Sequence, residues 1–225
     1  GSSASDIGVS ATTLTLSGAS INTTSKFGIY AYTGSGSGGA TLNHGLGGTP
    51  GLVIYKRRTG SSSWQVYHKS LGGTKYMNLD ENTDAYTSDS TRFGGTDPTS
   101  TTITLGTHGN GNVTTILYAW CDVPGLQKFG QYEGNAEATE GNYIHLGFRP
   151  AILIIKDIDS TGYWYITDSE RNPTNDTTTS YVWANATTAE QNDYTVDLLS
   201  DGFDLYATTG NLNATRTYIY MAWAE

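Results

Sequence analysis

Along the closing segment Thr217-Tyr218-Ile219-Tyr220-Met221-Ala222-Trp223, Ile219, Met221 and Trp223 fall on one face of an extended chain, and Tyr218, Tyr220 and Ala222 on the other. Ile116, Tyr118 and Trp120 repeat the pattern a hundred residues earlier. The period is two, so both segments are predicted to be strands. The runs 52–56 and 152–156 are apolar on both faces, which predicts central, doubly covered strands. Each is followed by a turn cluster (Thr59 to Ser63, and Asp159 to Gly162) and then by a segment carrying a tryptophan, Trp64 or Trp164, so each is predicted to form a hairpin. Tryptophans on such strands are expected to point inward. Thr13 to Ser17 alternates well enough for a strand or an arm. The only helix-permissive stretch, Ala184 to Gln191, is weakened by its Thr and Asn content.

These patterns occur twice. Lys26-Phe27-Gly28-Ile29-Tyr30 is echoed by Lys128-Phe129-Gly130-Gln131-Tyr132, and Leu46-Gly47-Gly48-Thr49-Pro50 by Leu146-Gly147-Phe148-Arg149-Pro150. Leu52 to Lys56 matches Ile152 to Lys156, Trp64 matches Trp164, and Ile103-Thr104-Leu105 matches Phe203-Asp204-Leu205. Tyr118-Ala119-Trp120 matches Met221-Ala222-Trp223. Ordered matches with small slips in loop-like stretches indicate an internal duplication. Asp122, Pro124 and Gly125 mark the junction. The expected organisation is an N-terminal arm or strand over 1–25, a first unit over 26–122 and a second over 123–225. The fold class is all-β, as two tandem, internally duplicated β-sandwich units of jelly-roll-like character.

Composition adds a class. The chain has 225 residues, of which 28 are Gly, 35 Thr, 20 Ser and 16 Tyr; aromatics are 12% and charged residues 15%. Such a Gly/Ser/Thr content with so many aromatics fits β-structure rather than disorder. The net charge of −9, from twelve basic against twenty-one acidic residues, argues against a nucleic-acid partner. No run of about 18 apolar residues is present, so no membrane insertion is expected. The single Cys121 cannot close an internal disulfide. Few lysines with many Thr, Ser, Asn and Tyr is also the palette of adhesive surfaces.

Candidate chemistry is sparse. His44, His68, His108 and His145 are spaced 24, 40 and 37 residues apart. That is not zinc-ligand spacing, and they read as loop residues at sheet edges. Glu133 with Glu137, or Asp168 with Glu170, would be the carboxylate pairs of a glycoside hydrolase, but both pairs read more simply as solvated loop acids. Asp157 to Gly162 resembles a calcium loop without its terminal bidentate acid, and reads as a turn capped by Asp. No nucleophile elbow or phosphate-binding loop is present. No catalytic residue, metal ligand or cofactor is therefore assigned. Tyr181-Val182-Trp183-Ala184-Asn185 sets rings beside an amide and a threonine run, the pairing that sugar binding requires, so Tyr181, Trp183 and Asn185 are the candidate glycan contacts. The competing reading places these rings in the core.

The run His44-Gly45-Leu46-Gly47, Pro50, Lys56, Trp64, Tyr67-His68 and Leu71-Gly72 continues through Pro98 to Thr101, Lys128-Phe129-Gly130, Gly134-Asn135, Leu146 to Ala151, Asp168-Ser169, Arg171, Gly202-Phe203 and Tyr220 to Glu225. It resembles, over about Ile7 to Glu225, a repeat domain of unknown function found in tailed-bacteriophage tail-fibre and tail-associated structural proteins. The resemblance implies a virion-surface, extracellular protein. It would be a homo-oligomer that contacts other virion proteins and reaches toward host receptors; the family carries no known catalytic residues. The leading expectation is a non-enzymatic structural or adhesion module that presents aromatic and amide loops to host surface glycans. The alternatives are a fibre-tip polysaccharide depolymerase and a purely architectural filament or capsid-decoration subunit.

Overall fold

The computed structural model describes residues 14–85, 89–208 and 210–225, without the side chain of Asn211. The first thirteen residues of the arm lie outside that set. The chain divides into two compact units, one of residues up to Asn78 together with Ala85–Asp122, the other of Leu79–Asp84 together with Val123–Glu225. The short segment 79–84 thus packs with the second unit although the sequence on either side of it belongs to the first.

The first unit contains β1 (Thr15–Asn22), β2 (Phe27–Thr33), β3 (Ala40–Asn43), β4 (Pro50–Arg57), β5 (Gln65–His68), β6 (Met77–Asn78), the one-turn helix α1 (Ser90–Phe93), β7 (Thr102–Leu105) and β8 (Thr114–Cys121). Six strands form an antiparallel sheet in the order β1-β2-β8-β4-β5-β6, and β3 pairs with β7 in a second small sheet. The core lies between them: Tyr30, Tyr32, Val53, Tyr55, Tyr67, Leu117 and Ala119 from the large sheet meet Leu42, Ile103 and Leu105 from the small one. α1 was not anticipated. Its signal is nevertheless local: Asp89 caps the helix by accepting from Thr91 N at 2.7 Å, and Gly94 ends it in the left-handed conformation.

The second unit repeats this plan with β9 (Gln127–Glu133), β10 (Tyr143–His145), β11 (Pro150–Asp157), β12 (Tyr165–Asp168), β13 (Thr179–Trp183), β14 (Gln191–Tyr194), β15 (Val196–Leu199), β16 (Gly202–Leu205), the helical turn α2 (Gly210–Asn213) and β17 (Thr217–Ala224). The large sheet runs β14-β13-β12-β11-β17-β9, the small one β10-β16-β15. The shared part of the two large sheets is β2-β8-β4-β5 in one copy and β9-β17-β11-β12 in the other. Ala184 to Glu190 is irregular rather than helical, and Gln191 opens a strand.

The duplication extends to single hydrogen bonds. Tyr32 Oη donates to Gly109 O at 2.6 Å, and Tyr132 Oη to Leu212 O at 2.6 Å. Buried Asn110 accepts from Ser35 N at 3.0 Å, and buried Asn213 from Asn135 N at 3.1 Å. Gly36 N and Ala136 N, both at positive φ, donate to the carbonyls of those asparagines at 2.7 Å. Cys121 N bonds Lys26 O, and Ala224 N bonds Leu126 O. Lys26 is therefore the structural counterpart of Leu126, two residues before the Lys128 that its sequence echo selects. A two-residue slip leaves every side chain on the same sheet face, so the sequence pattern cannot detect it.

The tryptophans depart from expectation. Trp120 and Trp223 alternate with the core residues of β8 and β17 and lie on the opposite face of their sheets, half-buried; of the five tryptophans only Trp164 is fully buried. Tyrosine fills the cores instead: ten of the sixteen are buried among the described residues. β4 and β11 are interior strands, but Ile152 on the outer face of β11 is 44% exposed, so that strand is not fully covered on both sides.

Candidate functional site

The rings predicted to face a ligand come together on β13, with unequal exposure. Tyr181 is 1% exposed, and its hydroxyl donates to Asp193 Oδ1. Burial and the adjoining Asp193 carboxylate hold that phenol far above its ordinary pKa. Tyr181 therefore supports the site from below and offers no face to a ligand. Trp183 is half-buried; its ring meets Tyr181 at 4.8 Å and Tyr165 at 6.0 Å, both edge-on.

The ring that does reach the surface is Tyr163, 39% exposed and 5.2 Å from Trp183. It sits in the β11–β12 turn between two anchored neighbours. Gly162 N donates to Asn82 O at 2.8 Å, and Trp164 N donates to Asn185 Oδ1 at 2.9 Å. The turn after β13 is tied back by Ala184 N to Trp164 O at 3.0 Å. Asn185 thus spends its carbonyl on the turn, while its Nδ2 is enclosed without an acceptor. Tyr163, Asn185, Ala184, Ala186, Thr187, Thr188 and Asp80 line a shallow groove of about 560 Å³, within the usual size of a small-ligand site. The ring is not repeated in the first unit: the position of Tyr163 is held there by Ser63, and the segment following β6 packs with the second unit. Sequence reasoning missed Tyr163 because it belongs to no strand and falls outside the motif around Trp183.

A larger groove of about 950 Å³ is lined by Ala151, Ile152, Asp168, Ser169, Glu170, Arg171 and Glu225. It contains the Asp168 and Glu170 pair but no aromatic ring. Asp168 is committed to its turn, accepting from Arg171 N at 2.9 Å and pairing with the Arg171 guanidinium at 2.7 Å. Glu133 accepts from Thr217 Oγ1 at 3.3 Å on the exposed edge strand β9, and Glu137 N caps onto Asn135. Volume alone favours this larger groove; chemistry favours the smaller one, where stacking and hydrogen-bonding groups converge.

The histidines hold backbone. Buried His44 accepts from Leu46 N on Nδ1 and faces Thr99 O through Nε2 at 3.2 Å, and His68 accepts from Ser70 N. His108 Nδ1 meets Tyr55 Oη at 2.9 Å. Burial lowers the pKa of His44, while burial with the Arg92 and Arg57 charges lowers that of His108 to about 4. His145 is exposed beside Tyr143. Asp157 is buried and caps its own turn, as its sequence context indicates, accepting from Asp159 N and Ser160 N while pairing with Arg216 at 2.9 Å.

A family model described as a domain of unknown function, DUF7483, matches residues 3–225. No curated protein and no solved structure matches the chain.

Proposed function

The chain belongs to the DUF7483 family, a domain of unknown function, and from its residues we propose that it is a non-catalytic adhesion module that binds surface glycans through the Tyr163 groove of its second unit. The observation that carries this reading is the anchored ring. Tyr163 is exposed, backed by Trp183, and fixed on both sides by backbone bonds to Asn82 and Asn185. A pyranose face stacks on such a ring at little entropic cost, because the ring is already ordered. Thr187, Thr188 and Asp80 bring hydroxyl and carboxylate groups to the groove for sugar hydroxyls, while Asn185 holds the turn beneath them. One shallow site of this kind binds weakly, and repetition on an oligomer raises avidity.

The setting we propose is a tailed-phage tail fibre or particle surface, with further copies and other virion proteins as partners. The motif resemblance, the acidic charge and the tandem β-architecture support that setting. Glycan-array binding of the intact chain, with Tyr163→Ala as control, tests the function. Retention of a glycan by the wild type and its loss in the variant supports the proposal. Release of new reducing ends from host polysaccharide would replace it with the depolymerase reading. Indifference to every glycan, joined to self-assembly, would leave the architectural one.

A further inference from the structure

The large sheet of the first unit ends on a strand that the second unit does not repeat. That strand is β1, laid outside β2, whereas β9, the counterpart of β2, itself ends the sheet of the second unit. β1 reads Thr15-Leu16-Ser17-Gly18-Ala19-Ser20-Ile21-Asn22, eight residues with no charge and no proline. The other three outer strands of the large sheets are guarded. β6 has two residues, and β14 has four, Asp193 among them. β9 carries Lys128 and Glu133, and its Glu133 carbonyl accepts from Asn142 Nδ2 at 2.8 Å. Shortness and charge are what keep sheets from joining edge to edge, and β1 has neither. Among the described residues only β2 pairs with it.

Ala19 reaches the core, but Leu16 and Ile21 on the same side are only half-buried at its rim. On the other side a shallow hollow of about 190 Å³, bounded by Gly18, Ser20, Ile29, Ala31 and Ile116, adjoins the strand. A bulge between Leu16 and Gly18, where Ser17 Oγ donates to Ala31 O at 3.1 Å, limits the regular run to 18–22, centred on Ser20. With a net charge of −9, two copies of the chain repel each other, and an uncharged edge is where they approach at least cost. We infer that β1 pairs antiparallel with β1 of a second copy about a two-fold axis at Ser20, joining the two first-unit sheets into one. This register sets Ala19 opposite Ile21 of the partner subunit, so core-facing residues meet core-facing residues. The inference names where the further copies of the proposed setting meet, and to that extent rests on it; it needs no sugar site.

The test is sedimentation velocity of the intact chain over a range of concentrations. Wild type, Ser20→Lys, Ser20→Glu and an equimolar mixture of the two variants are compared. Ser20 is exposed, so neither substitution disturbs the core. Residues directly opposite across such a pair stand about 5 Å apart, so two lysines or two glutamates repel while one of each attract. One strand pair is a small interface, so the wild-type dimer is expected to be reversible, its fraction rising with concentration. The expected result is that each variant alone stays monomeric where the wild type dimerises, and that the mixture dimerises again. A wild type that is monomeric at every concentration, a dimer that survives both substitutions, or a mixture that stays monomeric overturns the inference. Sugar binding per chain at the Tyr163 groove is measured on the same monomeric variants and should match the wild type, so the glycan reading stands or falls separately.

Discussion

Each tyrosine hydroxyl buried in the two cores loses water on folding and needs a protein acceptor. Tyr32 and Tyr132 find carbonyls at the same place in the two copies, whereas Tyr165 Oη is buried with no partner. Removing the two kinds of hydroxyl should therefore have opposite results. Tyr132→Phe strands the Leu212 carbonyl and should cost about 1–2 kcal/mol in urea unfolding, while Tyr165→Phe should be neutral or stabilising by up to about 1 kcal/mol. Equal losses in both would contradict this assignment. The histidines give a pH dependence at the same scale. His44 and His108 have folded pKa values below the ordinary one, so below about pH 6.5 the unfolded chain binds protons that the folded chain does not. Stability is complete above pH 6.5 and should fall as the pH drops from there toward 4. The decline should be shallower in His108→Gln. A wild-type profile flat between pH 7 and 5 would refute it.

At the scale of elements, the loop after β2 and its counterpart after β9 are held by the same device. A buried asparagine grips the loop, and a glycine (Gly34 or Gly134) lies so close to the Gly111 or Ala214 carbonyl that any Cβ would collide with it. One position differs: Gly36 in the first copy is Ala136 in the second, and both have positive φ. An L-residue there is strained, so Gly36→Ala should lower stability by about 1 kcal/mol while Ala136→Gly changes it by less, in the stabilising direction. Thermal unfolding of both variants checks the asymmetry; a neutral Gly36→Ala would contradict it.

How much of this was legible follows from what each signal measures. Alternation at period two reports which residues share a face, and it placed the faces of β8 and β17 and both Trp-bearing hairpins. It says nothing about which face lies inside, so the tryptophans were assigned inward when tyrosines occupy the core. The asparagine clamp was invisible because Asn110 and Asn213 sit in loops with no period. Tyr163 was missed for the same reason, and Tyr181 was over-read because a ring next to an amide looks alike whether exposed or buried.

For the whole molecule, the boundary at 122/123 is not a clean cut, since Leu79–Asp84 packs with the second unit. Lys156 is fully buried, donates to Asp157 O at 2.7 Å, and has its pKa lowered to about 8 by burial, against the opposing pull of Asp157 and Asp84. A fragment of residues 123–225 loses Asp84 near that amine and the Asn82 acceptor of Gly162. It should melt below the corresponding transition of the intact chain, by about 4–8 °C for each kcal/mol lost. An unchanged transition in calorimetry would show that the segment contributes nothing.

The central claim, a sugar site in the second unit alone, is tested most directly by backbone amide NMR during titration of the intact chain with a neutral oligosaccharide. The shifts should cluster at Asp80, Tyr163, Trp183, Asn185 and Thr187, with Ser63 and Trp64 in the first unit unmoved. Shifts centred elsewhere, or none at millimolar sugar, would contradict it.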